Sequence, residues 1–283
     1  MMEVLVYPVL FKIGALEIRS YGLALALSFL LGIYFSMRRA KKQNIDPNLV
    51  MDLSVVLIIS AIVGSRLLYV LFHLEEFRGR WLDTFSPFQS DGQIGLAGLT
   101  VLGGVVLCFL TSYIYLKIKK QSFLVFADIL IPAVGLGSFI TRIGCFLNGC
   151  CFGLPCEGHA HLCVTFPFNS PAGNQFPGIA LIPAQLYSSL YGLIIFAALL
   201  VAERWKKFNG FLFALFLILY GCGRFIVDVY RYYEDSMLIV QWGSKGLSLN
   251  QGISIIFVIS GIIFLINGYI KISKAKKETS SVN

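Results

Sequence analysis

Apolar residues run along this chain in long blocks separated by short polar punctuation. A helix that crosses a bilayer needs about 20 mainly apolar residues. Seven blocks qualify: Tyr21–Met37, Leu53–Phe72, Ile94–Leu116, Phe123–Ile140, Ile179–Val201, Phe211–Val227 and Gly252–Ile270. The pattern predicts an all-α, polytopic integral membrane protein of seven transmembrane helices, with residues 1–283 as one membrane domain. Two polar stretches are long. His73–Gln93 mixes charge with Gly and Pro, and Thr141–Gly178 is rich in Pro, Cys and small residues, which reads as a loop. Loops of that length are often functional. No internal repeat is visible, which argues against a transporter built from duplicated halves. The first twenty residues do not read as a secretory signal, because no basic segment leads the first apolar run. The tail after Lys271 is polar and basic and is expected to fray.

Composition agrees with the pattern. Hydrophobic residues make up 57% of the 283 and charged residues 13%, against roughly 45–50% and about 25% in soluble domains. Mean hydropathy is +0.78. A soluble core could not hide this much apolar surface, and disorder requires the opposite balance.

The net charge of +8 reads as topology. Fourteen of the 23 basic residues follow the first, third, fifth and seventh spans: Arg38, Arg39, Lys41 and Lys42; Lys117, Lys119 and Lys120; Arg204, Lys206 and Lys207; Lys271, Lys274, Lys276 and Lys277. Seven lie on the other side: Lys12, Arg19, Arg78, Arg80, Arg142, Arg231 and Lys245. The positive-inside rule then predicts an external N-terminus and a cytoplasmic C-terminus. No Gly-rich phosphate loop or basic aromatic stripe supports nucleic acid as a partner.

Ionisable groups within spans are expensive and mark functional candidates. Arg66 lies in the outer half of the second span, Arg142 at the end of the fourth, and Arg224 with Asp228 near the outer end of the sixth. Arg224 and Asp228 are four apart and share a helix face. One aspartate cannot neutralise three arginines, whereas an anionic ligand can, and a phospholipid headgroup is the anion at that depth. Asp52 and Asp128 read as interfacial residues or satisfied caps.

The fourth span ends in Thr141-Arg142-Ile143-Gly144-Cys145-Phe146-Leu147-Asn148-Gly149-Cys150-Cys151-Phe152-Gly153. This resembles the signature of the prolipoprotein diacylglyceryl transferase family, close to G-R-x-G-N-F-x-N-x-E-x-x-G. Five further segments resemble family motifs in order. These are Tyr21-Gly22, Gly64-Ser65-Arg66-Leu67-Leu68-Tyr69, Pro183-Ala184-Gln185-Leu186-Tyr187, Tyr220-Gly221-Cys222-Gly223-Arg224-Phe225-Ile226-Val227-Asp228 and Leu247-Ser248-Leu249-Asn250-Gln251. The departures are Thr141 for the first signature Gly, Cys145 for its Asn, Cys150 for its Glu and Asp228 for the helix-six Glu. Leu102 precedes Gly103-Gly104 where the family has His.

The resemblance implies a multi-pass enzyme of the bacterial cytoplasmic (inner) membrane. It would transfer a diacylglyceryl group from phosphatidylglycerol to the cysteine thiol of a prolipoprotein signal peptide. No cofactor is implied. Arg142 and Arg224 are expected to stabilise charge on the departing phosphate, with Arg66 as a third clamp. The thiolate is the nucleophile, and arginines would lower its pKa. Leu102 cannot move a proton, so Tyr21, Asp228 and Cys145 are the candidate bases; Tyr21 also reads as an interfacial aromatic. Asn148 and Gln185 would orient headgroup hydroxyls or join helices. Gly103, Gly104, Gly153, Tyr187 and Tyr220 complete the expected substrate-binding set.

Five of the seven cysteines fall between Cys145 and Cys163. Cys145, Cys150, Cys151, Cys156, His159, His161 and Cys163 offer soft ligands for zinc in no standard spacing, and a Cys156–Cys163 disulfide is an equal reading. Two further function classes therefore stay open. One is a thiol-redox or metal-binding membrane protein using this cluster. The other is a non-catalytic or divergent lipid or peptide binder.

Overall fold

The computed structural model describes residues 2–3, 6–14, 16–78, 100–156, 162–233, 238–242 and 245–280. Their long helices are α1 (Ser20–Lys42), α2 (Pro47–Phe72), α4 (Val101–Ile118), α5 (Phe123–Asn148), α7 (Ala184–Ala202), α8 (Phe211–Val229) and α9 (Leu249–Ser280). Two short ones, α3 (Leu74–Phe77) and α6 (Pro171–Gln175), lie in connections. Six helices are long and apolar enough to span a bilayer, and residues 102–118 form a shorter apolar seventh. Their outer faces are hydrocarbon: Leu30, Phe72, Val106 and Ile256 are each well over half exposed. A helix satisfies its own backbone groups, so it can carry such a face into lipid. The protein is a multi-pass membrane protein.

The chain divides into two compact units. The unit spanning Met37–Phe126 is built on α2 and α4. Their backbones touch where Gly64 faces Gly103. A Cβ on either glycine would collide with the carbonyl group of the other. A Cβ on Gly104 would meet Ser65 Oγ and the Ala61 backbone. Thr111 Oγ1 donates to Ser60 Oγ at 2.9 Å, and Thr100 Oγ1 to the Ser65 carbonyl at 3.0 Å. Small residues with interhelical hydroxyl bonds are the usual means of joining helices in lipid.

The other unit comprises Met1–Ser36 and Ala127–Asn283. Within it, α8 packs along α9 and against α7. Ile195, Leu199 and Ala202 of α7 meet Phe211, Leu212 and Phe216 of α8 in a buried cluster. The start of α8 is fixed by Asp128 of α5, which is wholly buried. Its carboxylate accepts from Gly210 N at 2.8 Å and Phe213 N at 3.0 Å, and pairs with Lys206 Nζ at 3.0 Å. Those backbone donors have no partner inside their own helix. Asp128 is thus a satisfied cap, supplied to one helix by another.

Short strands bind the connections of this unit. β1 (Met2–Glu3) pairs with β4 (Val164–Thr165), which pairs with β5 (Ala180–Leu181). The hairpin β2 (Val9–Ile13) and β3 (Leu16–Arg19) precedes α1, and β6 (Leu238–Trp242) and β7 (Lys245–Ser248) lead into α9. Val6, Phe152, Val164, Phe166, Ala172 and Leu181 form a buried cluster among these pieces.

Three expectations change. The tail after Lys271 does not fray there, because α9 runs on as helix to Ser280. The fourth span does not end near Ile140; α5 continues to Asn148, so Arg142 lies inside a helix and the connection begins later. That connection contains β4, α6 and β5 and is not plain loop. The first residues of the expected third span, most of His73–Gln93, Arg80, His159 and His161 lie outside the described residues.

Candidate active site

The site is assembled around the C-terminal turns of α5. Arg142, Cys145 and Asn148 lie on this helix at intervals of three, which keeps them on neighbouring faces. Gly149 then adopts a left-handed conformation, φ +68°, and ends the helix, with Cys150 N bonded to the Cys145 carbonyl at 3.1 Å. Cys151 is also left-handed, φ +60°. That conformation costs a residue with a side chain about 1–2 kcal/mol.

This reversal brings three thiols together. The sulfurs of Cys145, Cys150 and Cys151 lie within 4.8 Å of one another. Gln185, wholly buried in the first turn of α7, donates its Nε2 to the Cys150 carbonyl at 2.8 Å. The Cys151 thiol is drawn below the ordinary range by hydrogen bonds from the Cys145 and Cys150 thiols, with Arg231 and Arg142 adding to the effect. Cys156 and Cys163 are joined in a disulfide, whereas Cys145, Cys150 and Cys151 are free thiols.

The segment after the thiols ties distant parts of the sequence into one place. Gly153 N donates to the Ile182 carbonyl at 2.9 Å, just before α7, and Leu154 N to the Tyr230 carbonyl at 3.0 Å, just after α8. A Cβ on Gly153 would meet both carbonyl oxygens, at 2.5 and 2.6 Å. Only glycine lets three backbones cross there.

Arg224 of α8 is buried and held by a network. Its Nη2 pairs with Asp228 Oδ1 at 3.1 Å and donates to the Tyr233 hydroxyl at 3.0 Å. Tyr233 donates to Asp228 Oδ1 at 2.8 Å and accepts from Asn250 Nδ2 at 3.0 Å. Ser248 Oγ donates to Asp228 Oδ2 at 3.1 Å. Burial pushes the Tyr233 phenol up, so it stays protonated and able to donate. Both Asp228 oxygens are therefore engaged, and the aspartate orients the arginine.

What remains unpaired is informative. Arg224 Nη1, Tyr191 OH and Gln185 Oε1 are buried with no hydrogen-bond partner among the described residues. Tyr191 stands in the fields of both Arg142 and Arg224. Arg142 forms no ion pair with a carboxylate among the described residues; around it lie the thiols of Cys151 and Cys145 and the phenols of Tyr191 and Tyr220. Tyr21, at the start of α1, faces the same thiols and Arg142. Buried polar groups are normally satisfied, so two orphan donors, Arg224 Nη1 and Tyr191 OH, near a guanidinium with no carboxylate partner among the described residues leave a place for an anionic group.

The model of the family described as prolipoprotein diacylglyceryl transferase matches residues 8–267 of this chain. The chain belongs to that family. Among its relatives is phosphatidylglycerol–prolipoprotein diacylglyceryl transferase 1 of Clostridium perfringens, 31% identical over 282 residues, covering 97% of this chain and 98% of the relative. The phosphatidylglycerol–prolipoprotein diacylglyceryl transferase of Finegoldia magna is 33% identical, covering 91% and 94%. That of Clostridium tetani is 32% identical, covering 90% and 95%.

In this diacylglyceryl transferase relative the expected residues divide. Tyr21, Arg142, Cys145, Gln185 and Tyr220 come together with Arg224 and its partner Asp228. Asn148 faces the Cys150 thiol. Tyr187 packs edge-on against Tyr230, with centroids 6.4 Å apart. Gly103 and Gly104 lie at the α2–α4 crossing of the other unit, where Leu102 is half exposed. Arg66 belongs to that unit too, buried under the rings of Tyr69 and Phe77 at 5.7 and 5.0 Å. Tyr191 and Tyr233 were not expected. Tyr191 follows Tyr187 by one helical turn in an otherwise apolar run, a polar signal that reads first as core.

Proposed function

We propose that this protein transfers the diacylglyceryl group of phosphatidylglycerol to the cysteine thiol of a prolipoprotein signal peptide in the bacterial cytoplasmic membrane. Residues 1–283 act as one membrane enzyme with the N-terminus outside. The observation that carries the reading is that, among the described residues, the buried donors Arg224 Nη1 and Tyr191 OH have no hydrogen-bond partner and the neighbouring Arg142 has no carboxylate partner. An anion must complete that set in a low-dielectric setting, and the phosphate of an anionic lipid meets it from the bilayer.

In the reaction the acceptor thiol gives up its proton, and its sulfur attacks the glycerol carbon next to the phosphate ester. The carbon–oxygen bond breaks, and glycerol phosphate leaves with the electron pair. Arg142 and the free edge of Arg224 hold the oxygens on which charge gathers. Asp228, Tyr233, Ser248 and Asn250 orient Arg224. Gln185 and Gly149 set the thiol turn, and Tyr21 lines it.

Leu102 supplies the observation for a second reading, a lipid or peptide binder without catalysis, because a hydrocarbon side chain moves no proton. The test is thioether formation by the purified protein from phosphatidylglycerol and a peptide bearing a lipoprotein-type cysteine. Wild type is expected to give product, and Arg142→Ala to lose it by at least about 100-fold. Lipid binding without product from folded wild type would select the binder.

A further inference from the structure

The three thiols at the end of α5 hold more ligating chemistry than lipid transfer requires. Three sulfurs within 4.8 Å of one another form a triangle, not a pair. Tetrahedral zinc with bonds of about 2.3 Å spaces its sulfurs ~3.8 Å apart. The triangle reaches that spacing by an inward shift of no more than about 1 Å. The backbone prearranges it: Cys145 on the last turns of the helix, a left-handed Gly149, a left-handed Cys151, and Gln185 on the Cys150 carbonyl at 2.8 Å. Thiolate ligands select soft cations over calcium or magnesium. The guanidinium groups of Arg231 and Arg142 stand near Cys151, so negative charge on the cluster has compensation.

Three protein ligands leave one tetrahedral position. The groups around Arg142 are the thiols of Cys151 and Cys145 and the phenols of Tyr191 and Tyr220, with no carboxylate among the described residues. A soft cation activates an acceptor without a carboxylate or imidazole base, because a thiol that coordinates it is deprotonated outright.

We propose that Cys145, Cys150 and Cys151 bind a divalent cation of the zinc class and that the acceptor cysteine is its fourth ligand. This rests on the transferase reading above. The acceptor S–H gives its proton to water as the sulfur coordinates. The C–S bond then forms as the C–O bond to phosphate breaks, and the phosphate oxygen takes the electron pair. The neutral thioether is a weaker ligand than a thiolate and is displaced by the next acceptor.

Cobalt(II) tests the site by spectroscopy. The whole protein, purified in detergent under argon, is expected to bind one cobalt per chain with intense sulfur-to-cobalt charge-transfer absorption. Zinc, which stands above cobalt in affinity, should bleach it. Cys150→Ser/Cys151→Ser should lose the band while unfolding at a similar temperature, and Cys222→Ser, an exposed thiol elsewhere, should keep it. No band from wild type whose cluster thiols remain alkylatable overturns the site, and so does a cluster found oxidised. The acceptor peptide should shift the cobalt d–d bands, whereas the same peptide with Ser for Cys should not; an unshifted spectrum overturns the fourth-ligand role. Thioether formation is scored separately. Transfer by a protein with no cobalt site refutes the metal and leaves the transferase reading standing. A cobalt site without transfer supports the metal and refutes that reading.

Discussion

Single residues separate binding chemistry from scaffolding here. The Tyr191 hydroxyl is buried beside that of Tyr220 and makes no well-formed hydrogen bond among the described residues. Tyr191→Phe removes an orphan polar group, so the unfolding temperature should hold or rise, while kcat/KM for transfer should fall about 10-fold if the hydroxyl bonds the phosphate. Unchanged kcat/KM would remove Tyr191 from the site. Tyr233 behaves in the opposite way, since its hydroxyl joins Arg224, Asp228 and Asn250. Tyr233→Phe should lower both stability, by about 1–2 kcal/mol, and kcat, with Km for lipid less affected. A kcat equal to wild type would show that the direct Arg224–Asp228 pair orients the guanidinium alone. Arg142, Arg224 and Gln185 were legible in the sequence because charged and amide groups stand out in apolar runs. Tyr191 was not, because a tyrosine in such a run looks like core, and only the missing partner reveals it.

At the scale of elements, the sequence marked the helices well and one helix end badly. Thr141, Gly144, Asn148 and Gly149 look like punctuation, yet three of them lie within α5, where Gly144 gives the close approach of Ala24 on α1. The true stop is the left-handed Gly149. The consequence is chemical, since a helix ending at Ile140 would not carry Arg142 and Cys145 on a rigid frame. A second junction, between α5 and α8, hangs on Asp128. It is wholly buried and takes two backbone donors and one lysine. Asp128→Ala leaves those donors and the mostly buried Lys206 unpaired, which should cost about 3 kcal/mol. Thermal unfolding in detergent checks this, with Asp52→Ala as the comparison; among the described residues Asp52 has a single, exposed hydrogen bond, from Tyr115 at 3.3 Å. Equal unfolding temperatures for the two variants would show that the junction is held by the apolar cluster of α7 and α8 instead.

For the whole molecule, helix count and family were legible because apolar length and motif order are long-range signals carried by many residues. The placement of the motifs around one another was not, because it depends on backbone crossings such as Gly153 with Ile182 and Tyr230, which leave no pattern along the chain. The proposed orientation in the bilayer rests on charge. Each basic cluster acts through its own juxtamembrane segment, so the four clusters after the first, third, fifth and seventh spans reinforce one another. The rule predicts that a reporter active only outside the membrane is silent when fused after Lys277 and active when fused ahead of Val6. Neutralising Lys271, Lys274, Lys276 and Lys277 together should leave this pattern intact, since three clusters still agree. Neutralising the cluster of Arg38, Arg39, Lys41 and Lys42, which flanks the first span, should produce a mixed population, because the first helix usually dominates orientation. An active reporter after Lys277 in the unaltered protein would invert the topology. It would move the thiol turn and Arg142 to the cytoplasmic leaflet, where a signal-peptide cysteine on the outer face could not reach them.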